Sequence, residues 1–404
     1  MNIELITTGS ELLLGLIQNT HVNFIARQLA PLGLRLHRHA TVGDDRAAMT
    51  DAIRDALTRA DVLLLTGGLG PTSDDITRDI VAELLGRKLQ RDETVVAAIA
   101  ERLRRRNLKV PDQIFVQALV PEGATVLPNP NGTAPGLAIQ HNSKTVILLP
   151  GPPRELQPMF TDFVLPLLRR NISGTPPECR IFKVAGLPES IVEEKVAPVL
   201  ADLPGIELGY CARPGEVEVR LIGAPGNVAE AERRVRAALA DNIFGTGSDR
   251  IEDVVVRQLA LAGKTVALAE SCTGGLIANR LTNVSGSSAV FLAGYVTYSN
   301  AAKQRDLGVR AESLEKFGAV SEAVAREMAE GARQRTGADF ALSATGIAGP
   351  TGGTTEKPVG LVFIGLATPA GTQVQHWQLS FDRETFKFFV SQTALDLLRR
   401  ELPN

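Results

Sequence analysis

Ala269-Glu270-Ser271-Cys272-Thr273-Gly274-Gly275 follows the apolar run Thr265-Val266-Ala267-Leu268 and leads into Leu276-Ile277-Ala278-Asn279-Arg280-Leu281. A strand, then a hydroxyl and a thiol, then two glycines and a helix aims a nucleophile and backbone N–H groups at one point. The glycines allow close backbone approach to a ligand, and a helix N-terminus favours negative charge. The same residues would also serve an ordinary strand–helix turn with Ser271 as N-cap. Residues further along the chain decide between the two.

At 404 residues the chain is too long for one ordinary core, so two or three domains are expected, and 44% hydrophobic residues suffice to pack them. A net charge of −2 gives no broad cationic surface for nucleic acid. No apolar run approaches the roughly 20 residues of a membrane helix, so no membrane partner is expected. Met1-Asn2-Ile3-Glu4-Leu5 has no basic leader and reads directly as a strand, so no signal peptide is expected. Cys179, Cys211 and Cys272 are sparse and odd in number, which suggests reduced thiols in the cytoplasm. No paired Cys/His spacing suggests structural zinc.

The first third alternates strands and helices. Residues 3–8, Leu34 to Val42 and Asp61 to Thr66 read as strands; Asn19 to Leu32 and Asp44 to Ala60 read as helices. This order implies a parallel sheet with right-handed crossovers and a ligand at the strand carboxyl ends. Those ends carry Thr66-Gly67-Gly68-Leu69-Gly70-Pro71-Thr72-Ser73-Asp74-Asp75-Ile76-Thr77, with Asp44 and Asp45 after the preceding strand. Three glycines can cradle an anion, and acids beside such a cradle make sense with a divalent metal between them. They could equally cap helices. Asn129-Pro130-Asn131-Gly132-Thr133 is either a cap on the ligand pocket or an ordinary hairpin. Val146 to Leu149 is another strand, and Glu155 to Leu168 a closing helix.

Thr8-Gly9-Ser10-Glu11-Leu12, the Thr66-to-Thr77 loop and Leu149-Pro150-Gly151-Pro152-Pro153-Arg154-Glu155 together resemble the molybdopterin-binding fold, and more narrowly the N-terminal domain of the CinA family. The resemblance implies hydrolysis of ADP-ribose to AMP and ribose 5-phosphate with a divalent metal (magnesium, manganese or cobalt) and potassium. It places substrate at Gly9, Ser10, Gly67, Gly68, Gly70, Asp44 and Asp75, and metal at Asp44, Asp74 and Asp75. Fold analogy alone does not separate this from pterin or nucleotide binding without turnover.

Gly174-Thr175-Pro176-Pro177 signals a boundary. Cys179 to Phe244 then reads as a small α+β unit that resembles the KH-like linker domain of longer CinA proteins. It lacks a clear Gly-x-x-Gly clamp, so RNA binding is not inferred; a spacer or dimerisation role is expected, and the chain as a homodimer. Gly245 to Arg250 reads as a linker. The expected domains are 1–170, 175–245 and 250–404: a molybdopterin-binding-like parallel-sheet domain, a KH-like α+β domain and an α/β domain.

In the last domain, strands also end in Tyr298-Ser299-Asn300-Ala301-Ala302-Lys303 and in Thr345-Gly346-Ile347-Ala348-Gly349-Pro350. A serine nucleophile needs a base. The domain's one histidine, His376, lies on an alternating stretch that reads as an edge strand, so a lysine-based arrangement remains. Lys303 would have to lose its proton near neutrality, a fall from about 10.4 that costs roughly 4 kcal/mol. Burial can supply this, although Lys303 could also be a solvated helix residue. Cys272 is a rival nucleophile.

These segments, with Gly286-Ser287-Ser288 and Gly318-Ala319-Val320-Ser321, resemble the nicotinamide mononucleotide deamidase family, which hydrolyses a carboxamide to nicotinate mononucleotide and ammonia without a cofactor. The resemblance implies attack by Ser271 and proton handling by Tyr298 and Lys303. It implies substrate contacts from Cys272, Thr273, Gly274, Gly275, Thr345, Gly346 and Gly349. Backbone N–H groups near Thr273 and Gly274 are the expected oxyanion donors.

Overall fold

A computed structural model describes residues 1–105, 112–170, 172 and 177–403, which divide into compact units Met1–Glu178 and Cys179–Asn404. The boundary signal at 174–176 lies outside the described residues.

The first unit is built on a six-stranded sheet in the order Leu36–Val42, Ile3–Thr8, Val62–Thr66, Lys144–Leu149, Gly136–His141, Thr125–Leu127. The first four strands are parallel, as the crossovers require. The last two are antiparallel, so the sheet is mixed rather than wholly parallel. The cause is local: Asn142 takes a φ of 55°, and the chain turns straight back from Gly136–His141 into Lys144–Leu149. The inner strands are apolar on both faces because each face meets its own core. Ile6, Leu63, Leu65 and Val146 pack into one cluster, and Ile3, Leu5, Val62 and Ile147 into the other. Asp45 is the N-cap of helix Arg46–Arg59 and accepts from the Ala48 N–H at 2.8 Å. The closing helix widens at Phe160–Val164 between Pro153–Met159 and Leu165–Arg170.

The second unit begins with a four-stranded sheet in the order Glu207–Arg213, Glu216–Gly223, Glu178–Ala185, Ile243–Thr246, packed against helices Glu189–Leu200 and Pro225–Leu239. Ile243–Thr246 overlaps the expected linker from Gly245. Phe244 is buried and the segment pairs antiparallel with Phe182–Val184, so the linker proper starts later.

A five-stranded sheet follows, in the order Phe291–Val296, Val266–Glu270, Phe340–Gly346, Leu361–Thr368, Gly371–Gln378. Its first three strands pair parallel, and Leu361–Thr368 pairs antiparallel with the strands on both sides of it. Residues of helix Glu322–Thr336 pack on one face; those of helices Ile251–Ala262 and Arg383–Arg400 pack on the other. His376 sits exposed on the edge strand against Phe363, as read from its alternation. No helix among the described residues is long and apolar enough to cross a membrane.

Because Asp45 caps a helix, Asp45→Ala should lower the first unit's stability by about 1 kcal/mol in urea unfolding. An unchanged unfolding midpoint would mean that the cap contributes nothing to the helix.

Candidate functional site

In the second unit, the carboxyl ends of three parallel strands converge. The Ser271 N–H donates to the Ala344 carbonyl at 2.9 Å, and the Thr297 N–H donates to the Glu270 carbonyl at 2.9 Å. These bonds tie the turn after Val266–Glu270 to the ends of both neighbouring strands. Ser299 then caps helix Asn300–Leu307, accepting from the Ala302 N–H at 3.1 Å, which puts Lys303 in the first turn. The Lys303 side chain runs back inside and is 1% exposed.

Its Nζ lies 3.0 Å from Ser271 Oγ, 2.7 Å from the Thr297 carbonyl and 3.5 Å from the Tyr298 carbonyl. Among the described residues it forms no ion pair. Burial without a counter-charge lowers its pKa. A neutral amine has two N–H groups and one lone pair. Lys303 Nζ donates to Ser271 Oγ and to both carbonyls; in its neutral form it would give its two N–H groups to the carbonyls and turn its lone pair to the serine hydroxyl. This is the geometry of a general base and its nucleophile.

Among the described residues Lys303 forms a hydrogen bond with Ser271 and none with Cys272. The buried Cys272 thiol is pushed up to about 12, chiefly by desolvation, so it stays protonated at neutral pH. Tyr298 differs from expectation. It touches Lys303 only through its backbone, is 63% exposed, and its hydroxyl accepts from Arg383 Nη2 at 3.0 Å. Arg383 Nη1 donates to the Gly349 carbonyl at 2.8 Å, so this arginine ties two walls of the site together.

Ser271, Cys272, Tyr298, Lys303, Thr345, Gly346, Gly349 and Arg383 line one cavity of about 270 Å³. Thr273, Gly274 and Gly275 do not line it; they shape the turn, with Gly275 at a φ of 91° that only glycine adopts readily. The Gly274 N–H, an expected oxyanion donor, instead donates to the Ser271 carbonyl at 3.1 Å. Nor does the helix N-terminus face a ligand. The buried Glu270 carboxylate accepts from the N–H groups of Ile277 at 3.1 Å and Ala278 at 2.8 Å.

In the first unit, Gly9, Asp44, Gly67, Gly68, Gly70, Asp74 and Asp75 line a second cavity, of about 350 Å³. Glu11 and Glu155 line it too, bringing its carboxylates to five. Ser10 is not on its wall but holds Asp44 in place: the Ser10 N–H donates to Asp44 Oδ2 at 2.8 Å, and the Asp44 N–H donates to Ser10 Oγ at 3.1 Å. Asp75 Oδ2 accepts from the Thr72 N–H at 2.9 Å and from the Thr72 hydroxyl. A Cβ at Gly70 would stand 2.3 Å from Asp75 Oδ2, so glycine is required there for the loop to close over the acid. Thr133 and Ala134 of the Asn129 loop reach this wall, and Asn129 Nδ2 donates to Glu155 at 2.8 Å. The loop therefore borders the pocket, one of the two readings left open above.

Residues 248–402 match the model described as the CinA C-terminal domain, and residues 179–245 that described as the damage-inducible protein CinA KH domain. Residues 4–170 match a probable molybdopterin binding domain. A CinA-like protein of Akkermansia muciniphila is 44% identical over 98% of this chain and 96% of its own, and one of Kosmotoga olearia is 41% identical over 100% and 99%. The chain belongs to the CinA family. A crystal structure of a competence/damage inducible protein from Agrobacterium tumefaciens is 44% identical over 37% of this chain and 94% of its own, with a TM-score of 0.35.

In this CinA-family chain the sequence motifs marked both cavities and missed some of what completes them. Glu11 and Glu155 stood inside quoted motifs but were not assigned. Arg383 carried no local signal, since it opens a helix 85 residues beyond Tyr298.

The buried lysine has a measurable signature. Its folded pKa lies below the unfolded value of about 10.4, so across that window the unfolded chain binds the extra proton and stability rises with pH. Lys303→Met removes this dependence. Thermal melts should show the variant gaining on wild type as pH falls from about 10.4, with the gap levelling off below the folded value; a gap independent of pH would mean Lys303 is not desolvated.

Proposed function

We propose that the C-terminal domain hydrolyses the carboxamide of nicotinamide mononucleotide, giving nicotinate mononucleotide and ammonia. The observation that carries this reading is the desolvated Lys303 amine held 3.0 Å from Ser271 Oγ by two backbone carbonyls. Ser271 Oγ forms a bond to the carboxamide carbon as its proton passes to Lys303. The resulting ammonium then gives that proton to the departing nitrogen, and ammonia leaves an acyl-serine. Water attacks the ester with Lys303 again as base, and the carboxylate product frees the serine. Tyr298, fixed by Arg383, is a wall of the pocket that orients the ring rather than a group bonded to the nucleophile.

For the N-terminal domain, we propose metal-dependent hydrolysis of ADP-ribose to AMP and ribose 5-phosphate. Its five cavity carboxylates are hard oxygen donors. Among the described residues no three His, Cys, Asp or Glu side chains are gathered closely enough to hold a metal alone. This donor set fits a cation such as magnesium, which keeps waters and completes its shell with phosphate oxygens. Asp44, Asp74 and Asp75 would hold it; bound there, it would offset the diphosphate charge. The glycine loop gives the diphosphate room against the main chain. The match of residues 4–170 to a probable molybdopterin binding domain keeps pterin binding as the second reading, and spectral titration with a pterin distinguishes the two.

Ser271→Ala should abolish ammonia release and leave ADP-ribose cleavage intact, while a chelator should do the reverse. Joint loss of both activities in a folded Ser271→Ala chain would refute separate sites. Since only neutral Lys303 can act, kcat/KM for deamidation should climb with pH and level off above the lysine's lowered pKa. A rate that falls over that range would exclude Lys303 as the base.

A further inference from the structure

One pair of cations beside the Ser271 cavity takes no part in the proton transfers above. Arg383 and Lys387 stand four residues apart on helix Arg383–Arg400, one turn and one face. Lys387 Nζ lies 3.7 Å from where a Cβ on Gly274 would stand, so it reaches the turn that carries the nucleophile. Arg383 lines the cavity wall. Among the described residues neither cation forms an ion pair with a carboxylate.

The nearby acids are otherwise engaged or turned aside. Asp382 accepts from the N–H groups of Glu384 and Thr385, both at 3.0 Å, and from the Thr385 hydroxyl. Glu270 is buried and caps the neighbouring helix. Glu384 lies about 100° round the helix from Arg383. Arg383 uses two of its N–H groups on Tyr298 and Gly349 and has others to offer. The Lys387 ammonium has no hydrogen-bond acceptor among the described residues.

We propose that Arg383 and Lys387 form an anion subsite that binds the phosphate monoester of the deamidase substrate. This rests on the deamidase reading and assigns its specificity for a mononucleotide over the nucleoside. The Gly274-Gly275 turn is bare of side chains, so a phosphate can lie across it while the carboxamide reaches Ser271. The helix N-terminus that sequence alone offered to the anion is closed by Glu270; the cations take its place. Lys387 is the diagnostic residue, because it holds no wall of the cavity.

Two measurements on the full-length chain test this. Lys387→Ala should raise KM for nicotinamide mononucleotide by roughly ten- to a hundred-fold, the size expected for one charged hydrogen bond. It should leave kcat/KM for the dephosphorylated nucleoside unchanged, and Lys387→Arg should recover most of the loss. Equal effects on both substrates, or none on either, would overturn the subsite. Separately, acetylation of Lys387, followed by peptide mass spectrometry, should be slowed by inorganic phosphate. A rate unaffected by phosphate would overturn the subsite even if the chain deamidates normally. If wild type releases no ammonia from any pyridine amide while phosphate still protects Lys387, the deamidase reading fails and the anion subsite stands.

Discussion

A lysine amine taken out of water without a counter-ion is the constraint around which the C-terminal domain is built. An ammonium would keep its proton if a carboxylate stood beside it, and a solvated one would keep it by hydration. Lys303 has neither. The carbonyls of Thr297 and Tyr298 fix its N–H directions, and the Ser299 cap fixes the helix turn from which it projects. The register between Val266–Glu270 and Phe291–Val296 then brings Ser271 to it. Reactivity here is a consequence of where backbone polar groups end up when two parallel strands stop side by side.

The same economy governs charge around the turn. Glu270 directly precedes the nucleophile, yet its carboxylate is bound to the first N–H groups of helix Leu276–Thr282. It therefore stabilises the helix and leaves Lys303 without an anionic partner. Further along that helix, the buried Arg280 donates to Glu252 at 2.7 Å, Ser391 at 2.8 Å and Gln392 at 2.6 Å. Gln392 in turn donates to Glu216 of the four-stranded sheet at 3.2 Å. This network joins the helix after Ser271 to the helix that starts at Arg383. The small middle domain is thus joined to the C-terminal domain through this network.

What the sequence made legible follows from the range of the interactions involved. Apolar runs bounded by glycine or acid, such as Val62–Thr66 and Val266–Glu270, announce buried strands, and the residues just after them fall at sheet edges by topology. Hence Ser271, Lys303, Thr345 and Gly349 could be gathered from spacing and resemblance. The failures are of another kind. Gly136–His141 was hidden because its turn depends on a left-handed Asn142. Gly245 and Thr246 were read as linker because they carry no apolar signal, and only pairing with Phe182–Val184 makes Ile243–Thr246 a strand. Tyr298 was given a proton role by resemblance, and its hydroxyl turns to an arginine that no local pattern reveals. Side-chain direction at a strand end depends on what the distant chain offers, and that offer came from residue 383.

The two cavities solve opposite electrostatic problems. The first is walled by five carboxylates and gives a phosphate only the main chain of a glycine loop. A phosphate could share such a space with these acids only with a cation between them, which is the physical argument behind the metal proposed above. The second has a buried lysine on its wall and, at its rim, Arg383 and Lys387. Burial separates them: Lys303 is desolvated, which lowers its pKa, while Arg383 is exposed and Lys387 half-buried. A phosphate at the rim would be attracted to the outer pair and would, if it penetrated further, favour the protonated form of Lys303 and stop the reaction. On the proposed reading, keeping the anion outside, on the helix that begins at Arg383, would be a condition for Lys303 to act as base as well as a means of holding the substrate.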